Sequence, residues 1–195
     1  GEANKTVQIK LEKAPDSTLK DIELPTDWPL FRKNDENNGV VDVRTPITAE
    51  DTVLVWANKL GEGYSGSAVG SPIIVGVYLY SYSGTTIMKV DKETGLIVKT
   101  GTMVGGSSFA INCATYAEGM IFIGLANGRV QAFNAETLES LWVYRDALGG
   151  QPNCPIAYAD GYIYTGFWNS ETGNANFVCL SITDEDPAQS KESKC

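Results

Sequence analysis

The sequence contains no histidine. The commonest general base of enzymes is therefore absent, and so is every Ser-His or Cys-His nucleophile pair. The four cysteines include no CxxC pair and no two adjacent residues; they are Cys113, Cys154, Cys179 and Cys195. Without histidine, these cysteines and the scattered carboxylates lack the spacing of zinc ligands. We therefore predict a protein that is not an enzyme and holds no metal and no cofactor.

The chain is also poor in basic residues and in long apolar runs. It has 15 Lys and Arg against 24 Asp and Glu, for a net charge of −9. Nucleic-acid binding is dominated by basic contacts to phosphate, so we expect no nucleic-acid partner. No apolar run reaches the roughly 18 residues of a membrane-spanning helix, so we expect a chain that does not span a membrane. The stretch that follows Gly1 is polar and lacks the apolar core of a signal peptide, so we expect it to be a mature N-terminus.

What the chain does have is a repeat of 42 or 43 residues. Apolar segments begin at Tyr78, Met120 and Tyr162, and each follows a tight turn that contains glycine. Within a unit the apolar residues alternate at period two, as at 120–125 and 129–134, which indicates β-strands. Four short strands in such a unit are typical of a β-propeller blade. We predict an all-β fold, a propeller of four-stranded antiparallel blades, with repeats near residues 71–100, 113–144 and 154–182.

Both ends of this array are incomplete. Residues 52–59 (TVLVWANK) predict an extra outer strand with no inner strands before it, whereas the third unit has inner strands and no outer one. Two explanations stay open: the chain is the front part of a longer one, or two chains join head to tail and complete each other's blade. Residues 1–27 are predicted to be an arm or linker, 28–182 the propeller, and 183–195 a polar linker or tail, which favours a longer chain.

The middle unit points to a particular propeller type. Residues 120–142 (MIFIGLANGRVQAFNAETLESLW) resemble the PQQ-like, quinoprotein-type repeat, in which an apolar strand, a glycine loop and a turn lead to a strand that carries tryptophan. The segment 28–39 is similar to the opening of such propellers. The first unit departs from the pattern with Lys99 in the place of the tryptophan, and Leu138 stands in the place of a glycine. The third unit carries an insertion over 168–176.

The resemblance has implications for cofactor, cellular location and fold. Quinoprotein dehydrogenases that resemble this chain hold their quinone beneath a disulfide of adjacent cysteines and use a calcium ion bound by Glu, Asn and Asp. Because the chain has no adjacent cysteines, the resemblance describes the blade and not a bound cofactor. It implies an exported, extracellular or cell-surface repeat protein of WD40-like architecture, in the non-enzymatic branch.

Three other features are expected to be structural. Gly61 to Gly66 spell GxGxxG, but a strand follows and no helix, so the segment lacks the geometry of a dinucleotide site. Asn34 to Gly39 faintly resemble a calcium loop and are better explained as a turn. A disulfide between Cys113 and Cys154 is conceivable, although Cys113 and Cys179 are also expected as small buried hydrophobic residues.

The remaining candidate for function is one face of the propeller. The connections from a fourth strand to the next blade, and the loops between second and third strands, share this face, which we call the loop face. Its candidate ligand-binding residues are Tyr64, Ser65, Ser107, Ser108, Asn112, Gln151, Asn153, Phe167, Trp168, Asn169 and Glu171. Aromatic and amide groups on loops suit a glycan or a peptide. Trp168 is equally compatible with packing onto its own blade, whereas Trp56 and Trp142 are expected to pack between blades.

We therefore predict an exported, non-catalytic binding or adhesion scaffold that recognises a protein or glycan ligand through its loops. Two alternatives remain. The chain could be part of a quinone-dependent or carboxylate-based enzyme whose other blades are absent. It could instead be a structural module that self-associates through unpaired blade edges, because such edges readily pair with other chains.

Overall fold

A computed structural model describes residues 27–41, 48–58, 70–106 and 113–183. Within them the chain forms a short 3-10 helix, Ala49–Asp51, and eleven strands. The strands are β1 Ile73–Val75, β2 Tyr78–Ser83, β3 Thr86–Asp91, β4 Ile97–Thr102, β5 Thr115–Ala117, β6 Met120–Leu125, β7 Arg129–Asn134, β8 Ser140–Arg145, β9 Ala157–Ala159, β10 Tyr162–Gly166 and β11 Phe177–Ser181. In these residues no helix is long and apolar enough to cross a membrane.

The strands form three antiparallel meanders, one for each predicted repeat. Their orders are β1-β2-β3-β4 (blade 1), β5-β6-β7-β8 (blade 2) and β9-β10-β11 (blade 3). The turns at Glu118-Gly119 and Asp160-Gly161 have positive φ at both residues, at 51° and 77° and at 51° and 85°, as two-residue type I′ hairpins require. The predicted β-propeller blades are thereby confirmed.

The blades stack side by side through two apolar seams. The inner strand β5 contacts both β1 and β9. Because successive side chains of a strand point to opposite faces of the sheet, β6 contributes side chains to both seams. Its Ile121 and Ile123 pack in the cluster with blade 1, and its Phe122 packs in the cluster with blade 3. Blade 2 is thus covered on both faces.

A tryptophan hydrogen bond connects two of the outer segments, residues 52–58 and β8, to the following blade. Trp142 on β8 is buried, lies 5.9 Å from Phe122 between ring centroids, and donates its indole N–H to the Ile182 carbonyl at 3.0 Å. Trp56 donates to the Lys92 carbonyl, also at 3.0 Å. Ile182 and Lys92 each follow the last residue of a third strand, β11 or β3. The two bonds are therefore equivalent, and the expected interblade packing of Trp142 is observed.

The predicted strand over residues 52–59 is not formed in its described part, residues 52–58. A strand needs a partner for its backbone groups, and among the described residues no inner strand lies beside this segment. Nevertheless Trp56 sits where an outer-strand tryptophan belongs, and Asn58 donates its side-chain amide to the Gly95 carbonyl. The segment thus has the position of an outer strand without its sheet.

The opening segment reaches the inner strands of blades 1 and 2. Trp28 exchanges two backbone hydrogen bonds with Ile74, at 2.9 and 2.8 Å, and the Pro29 carbonyl accepts from the Tyr116 amide. Further along, Asn34 accepts from the Asn38 amide through its side chain, as in a closed polar turn. The turn interpretation of residues 34–39 therefore agrees with the geometry. The GxGxxG segment 61–66 lies outside the described residues.

The cysteine expectations need correction. Cys113 and Cys154 are both free thiols, so the conceivable disulfide between them is not formed. Cys113 is buried, as expected, whereas Cys154 is exposed. Cys179, expected as a small hydrophobic residue, is disulfide-bonded. Its half-buried place on β11, the edge strand of blade 3, leaves the sulfur within reach of a partner.

Candidate functional site

Three loops meet on the loop face at the top of blades 2 and 3. They are the turn between β6 and β7, the connection from β8 to β9, and the long loop from β10 to β11. The Gly128 amide donates to the Gly150 carbonyl at 2.7 Å. Gln151 and Trp168 exchange two backbone hydrogen bonds, at 2.7 and 2.9 Å. The connection from β8 to β9 is therefore hydrogen-bonded both to the β6–β7 turn and to the β10–β11 loop.

A cleft of about 310 Å³ lies between these loops. Its lining consists of Ala126, Asn127, Gly150, Gln151, Trp168, Asn169 and Ser170. Among them are three of the predicted ligand residues, Gln151, Trp168 and Asn169, which come from two different connections. Ligand clefts commonly start at about 300 Å³. This loop-face cleft is therefore large enough for a single sugar ring or one side chain.

Glycines allow the loops to approach this closely. Gly150 has a φ of +107°, and a Cβ there would stand 3.0 Å from the Phe167 Cβ and 3.0 Å from the Trp168 carbonyl oxygen. A Cβ on Gly128 would stand 2.7 Å from the Gly149 Cα. Side chains rarely accept such backbone conformations and distances. The shape of the cleft thus depends on glycine.

Asp146 anchors the connection beneath the cleft. Its buried carboxylate accepts hydrogen bonds from the Tyr144 hydroxyl at 2.8 Å, the Leu148 amide at 2.9 Å and the Asn176 amide at 3.0 and 3.2 Å. Desolvation by burial is the largest single effect and opposes ionisation, but the hydrogen bonds from Asn176, Tyr144 and Leu148 together hold the pKa of Asp146 below its ordinary value. The carboxylate of Asp146 therefore stabilises the loops and is not a candidate ligand-binding group.

The predicted ligand residues separate into distinct groups. The Trp168 side chain is 47% exposed, so it lines the cleft and is not packed into its blade. Asn169 uses its amide nitrogen to donate to the carbonyls of Leu148 and Asn174, at 3.0 and 3.1 Å. Asn153 is half-buried and Glu171 exposed, and neither lines the cleft.

Phe167 requires a correction, because it is buried in the apolar seam between blades 2 and 3 and does not face a ligand. Its apolar ring is better accommodated in that core than on the loop surface. The other predicted residues lie outside the described part of the chain; these are Tyr64, Ser65, Ser107, Ser108 and Asn112.

A second cleft, of about 610 Å³, lies between blades 1 and 2 and was not predicted. It opens toward the turns that join first to second and third to fourth strands. Its side chains include Tyr78, Tyr80, Lys89, Tyr116, Glu118 and Glu136. We call it the interblade cleft.

The strand register explains why this second cleft is open. In blade 2, Phe122 pairs with Ala132, which pairs with Trp142 on the outer strand. The same positions in blade 1 hold Tyr80, Lys89 and Lys99. The tryptophan that fills the seam between blades 2 and 3 is thus replaced by an exposed lysine, and the space remains open. The sequence signal was Lys99 in the tryptophan position.

A tyrosine supplies the missing hydrogen bond. The Tyr80 hydroxyl donates to the Ala135 carbonyl at 2.7 Å, and Ala135 directly follows β7, as Ile182 follows β11. Burial, followed by the nearby Tyr116, Tyr78 and Glu136, raises the pKa of Tyr80 to about 12. The hydroxyl therefore stays a neutral donor throughout the physiological range.

Solved structures resemble this arrangement over most of the chain. A quinohemoprotein alcohol dehydrogenase from Comamonas testosteroni matches 87% of it at a TM-score of 0.66 and 19% identity. A europium-containing methanol dehydrogenase matches 80% at a TM-score of 0.61 and 20% identity. The fold is that of a quinoprotein-type β-propeller. The match spans only 26% and 30% of those two proteins, respectively, so their activities do not transfer to this propeller by likeness of fold.

Other comparisons add no function. BamB from Moraxella catarrhalis is similar over 56% of this chain and 36% of its own, at 22% identity, but the TM-score of 0.39 is too low to support an argument. No protein-family model matches the sequence, and no curated protein matches it.

The quinone cofactor associated with such propellers does not fit the residues that are described. Their Asp, Glu and Cys side chains form no group of three or more that could hold a metal ion. The chain has no adjacent cysteines to make the disulfide that covers the quinone, and Cys113 and Cys154 are free. The described residues of these blades therefore do not form a quinone site.

Proposed function

We propose that this propeller is an exported, non-catalytic binding or adhesion scaffold whose loop-face cleft recognises a glycan. The observation that supports this most is the exposed ring of Trp168 beside the amides of Gln151 and Asn169. A flat aromatic surface packs against the apolar face of a sugar. The Gln151 amide can donate to and accept from its hydroxyls, and the Asn169 side-chain carbonyl can accept from them. A protein ligand could use the same ring as a central anchor.

The cleft is also preorganised, which limits the entropy lost on binding. Two backbone hydrogen bonds fix Trp168 to Gln151, and the Asp146 carboxylate fixes the β8–β9 connection through Leu148 and the β10–β11 loop through Asn176. The ring can therefore meet a ligand without ordering its own backbone.

A glycan array followed by calorimetry with the best glycan tests this proposal. Trp168→Ala should weaken binding by at least about tenfold, since loss of a buried aromatic contact costs more than about 1.4 kcal/mol. Leu96→Ala is the matched control, because Leu96 is 65% exposed and lies at the turn between β3 and β4, away from the cleft. An array without any bound glycan, or equal affinity of the two variants, would refute glycan recognition here.

Assembly through open blade edges is a second candidate, and a specific observation favours it. Val53, Leu54 and Val55 are 74–82% exposed, next to a Trp56 that already occupies an outer-strand position. Blade 3 meanwhile ends at β11, with no further strand beside it in the described residues. Measurement of the mass in solution distinguishes the two outcomes: a stable dimer supports assembly, and a strict monomer at high concentration excludes it.

The enzymatic alternative would need a site built partly by blades beyond these three. It is therefore tested by titration with pyrroloquinoline quinone and calcium of a protein that carries those further blades as well. If the titration shows no binding of the quinone, the enzymatic alternative is excluded and the binding and assembly functions remain.

A further inference from the structure

We propose that the interblade cleft is a second binding site, and that it takes a small organic carboxylate on the ammonium group of Lys89. This site is separate from the loop-face cleft in position and in chemistry. It therefore does not depend on the proposed glycan recognition.

Lys89 is the central observation. Its side chain lines the cleft and is only 8% exposed. The Nζ atom lies 4.2 Å from the centroid of the Tyr78 ring and 6.0 Å from that of Tyr80, and donates one long hydrogen bond, 3.4 Å, to the Glu136 carbonyl. An ammonium group carries three donors, and burial of its charge is costly unless it is paired. Among the described residues no carboxylate forms an ion pair with it.

Packing alone does not explain a lysine at this position. The equivalent residue in blade 2 is Ala132, which is fully buried without any charge. In blade 1, Lys89 also lies directly opposite Lys99 on the neighbouring strand. Like charges in such a pair repel each other and share one face of the sheet. An anion in the cleft would offset both the burial and the repulsion.

The lining narrows the chemical class of the ligand. Three tyrosines, Tyr78, Tyr80 and Tyr116, surround a volume of about 610 Å³, which suits a molecule with one flat ring. At the rim stand Glu118, which accepts from the Tyr158 hydroxyl at 3.0 Å, and the exposed Glu136. These carboxylates would repel a polyanion such as a nucleotide. A single carboxylate that reaches Lys89 meets the least repulsion.

The probes are two pairs of ring compounds that differ in charge. Benzoate is compared with benzyl alcohol, and glucuronate with glucose, by nuclear magnetic resonance titration of the 195-residue chain at constant ionic strength. At least one carboxylate should bind about tenfold or more tightly than its neutral partner, because a charge-assisted hydrogen bond adds about 1.5–3 kcal/mol. The pair in which the carboxylate binds more tightly shows whether the site prefers an aromatic ring or a sugar ring.

Two variants and one control locate the site. Lys89→Met should abolish the preference for the carboxylate, whereas Lys89→Arg, which keeps the charge, should retain part of it. Lys92→Met removes an equal charge from a residue of the nearby turn that does not line the cleft, and should leave binding unchanged. Trp168→Ala should also leave it unchanged, which separates this site from the loop-face cleft.

Three results would overturn the proposal. They are equal binding of charged and neutral probes, an undiminished response in Lys89→Met, and the absence of any shift at high probe concentration. Thermal unfolding of Lys89→Met shows whether the variant folds. We expect its midpoint to equal or exceed that of the parent chain, because methionine removes a buried charge from an apolar seam.

Discussion

Replacement of Trp142 by phenylalanine removes one hydrogen bond from the seam between blades 2 and 3 and keeps an aromatic ring there. The lost bond is the one from the indole N–H to the Ile182 carbonyl, 3.0 Å long and buried. Phenylalanine can still pack against Phe122, whose ring centroid is 5.9 Å away. The carbonyl then has no indole donor in an apolar seam. We expect the free energy of unfolding to fall by about 1–3 kcal/mol, the cost of leaving a buried polar group without its partner.

Trp56→Phe is the matched control within the same chain. It removes the equivalent bond, from the indole N–H to the Lys92 carbonyl, at the same 3.0 Å. Trp56 is only half-buried, and residues 52–58 belong to no sheet, so water can replace the lost donor. The cost should stay below about 1 kcal/mol, as for an exposed hydrogen bond.

Urea unfolding followed by far-ultraviolet circular dichroism measures both variants without dependence on tryptophan fluorescence. Midpoints should differ while the slopes agree, which reports stability and not a change in compactness. If both variants lose the same free energy, or if Trp142→Phe loses less than about 0.5 kcal/mol, the indole bond does not stabilise the seam, since that is the range of neutral surface changes.

Three further predictions concern single residues. Asp146→Asn should lower the free energy of unfolding by about 1–3 kcal/mol at neutral pH. Because the folded pKa of Asp146 is below its ordinary value, this advantage exists above about pH 4 and should vanish as the pH falls through the folded pKa, in urea titrations at stepped pH. Gly150→Ala should cost about 1–3 kcal/mol in thermal unfolding because of its φ of +107°; an unchanged midpoint contradicts this. Maleimide should label the exposed Cys154 in the native state but Cys113, whose burial raises its pKa, only after unfolding, as peptide mass mapping would show.

The blades could be predicted from the sequence because their signals are local. Apolar alternation defines β6 and β7, and the glycines at 119 and 161 define the hairpin turns. Each signal recurs at the same period in the next unit, so an error in one unit is corrected by the others. Strand order in a meander then follows from the short connections alone.

The predictions that were wrong concern residues whose structure depends on partners distant in the sequence, which the local sequence pattern does not reveal. Residues 52–58 contain apolar residues and a tryptophan, as β8 does, yet a strand also requires a neighbour that accepts its backbone hydrogen bonds. The disulfide of Cys179 likewise depends on which sulfur lies nearby in space. The sequence places Phe167 with Trp168 in one loop, but successive residues of an extended chain face opposite sides, so Phe167 is buried while Trp168 is exposed.

The interblade cleft shows how a repeat protein can build a site from its departures from the repeat. The backbone carbonyls of Ala135 and Ile182 hold the same place in successive blades, and both need a donor. Trp142 satisfies one of them and fills its seam with an indole, whereas Tyr80 satisfies the other and leaves space beside Lys89. Because the register is the same, the difference in volume and charge between the two seams comes from side chains alone. A repeat that met only structural needs would keep the tryptophan, so the open and charged seam is the better candidate for a ligand-binding site.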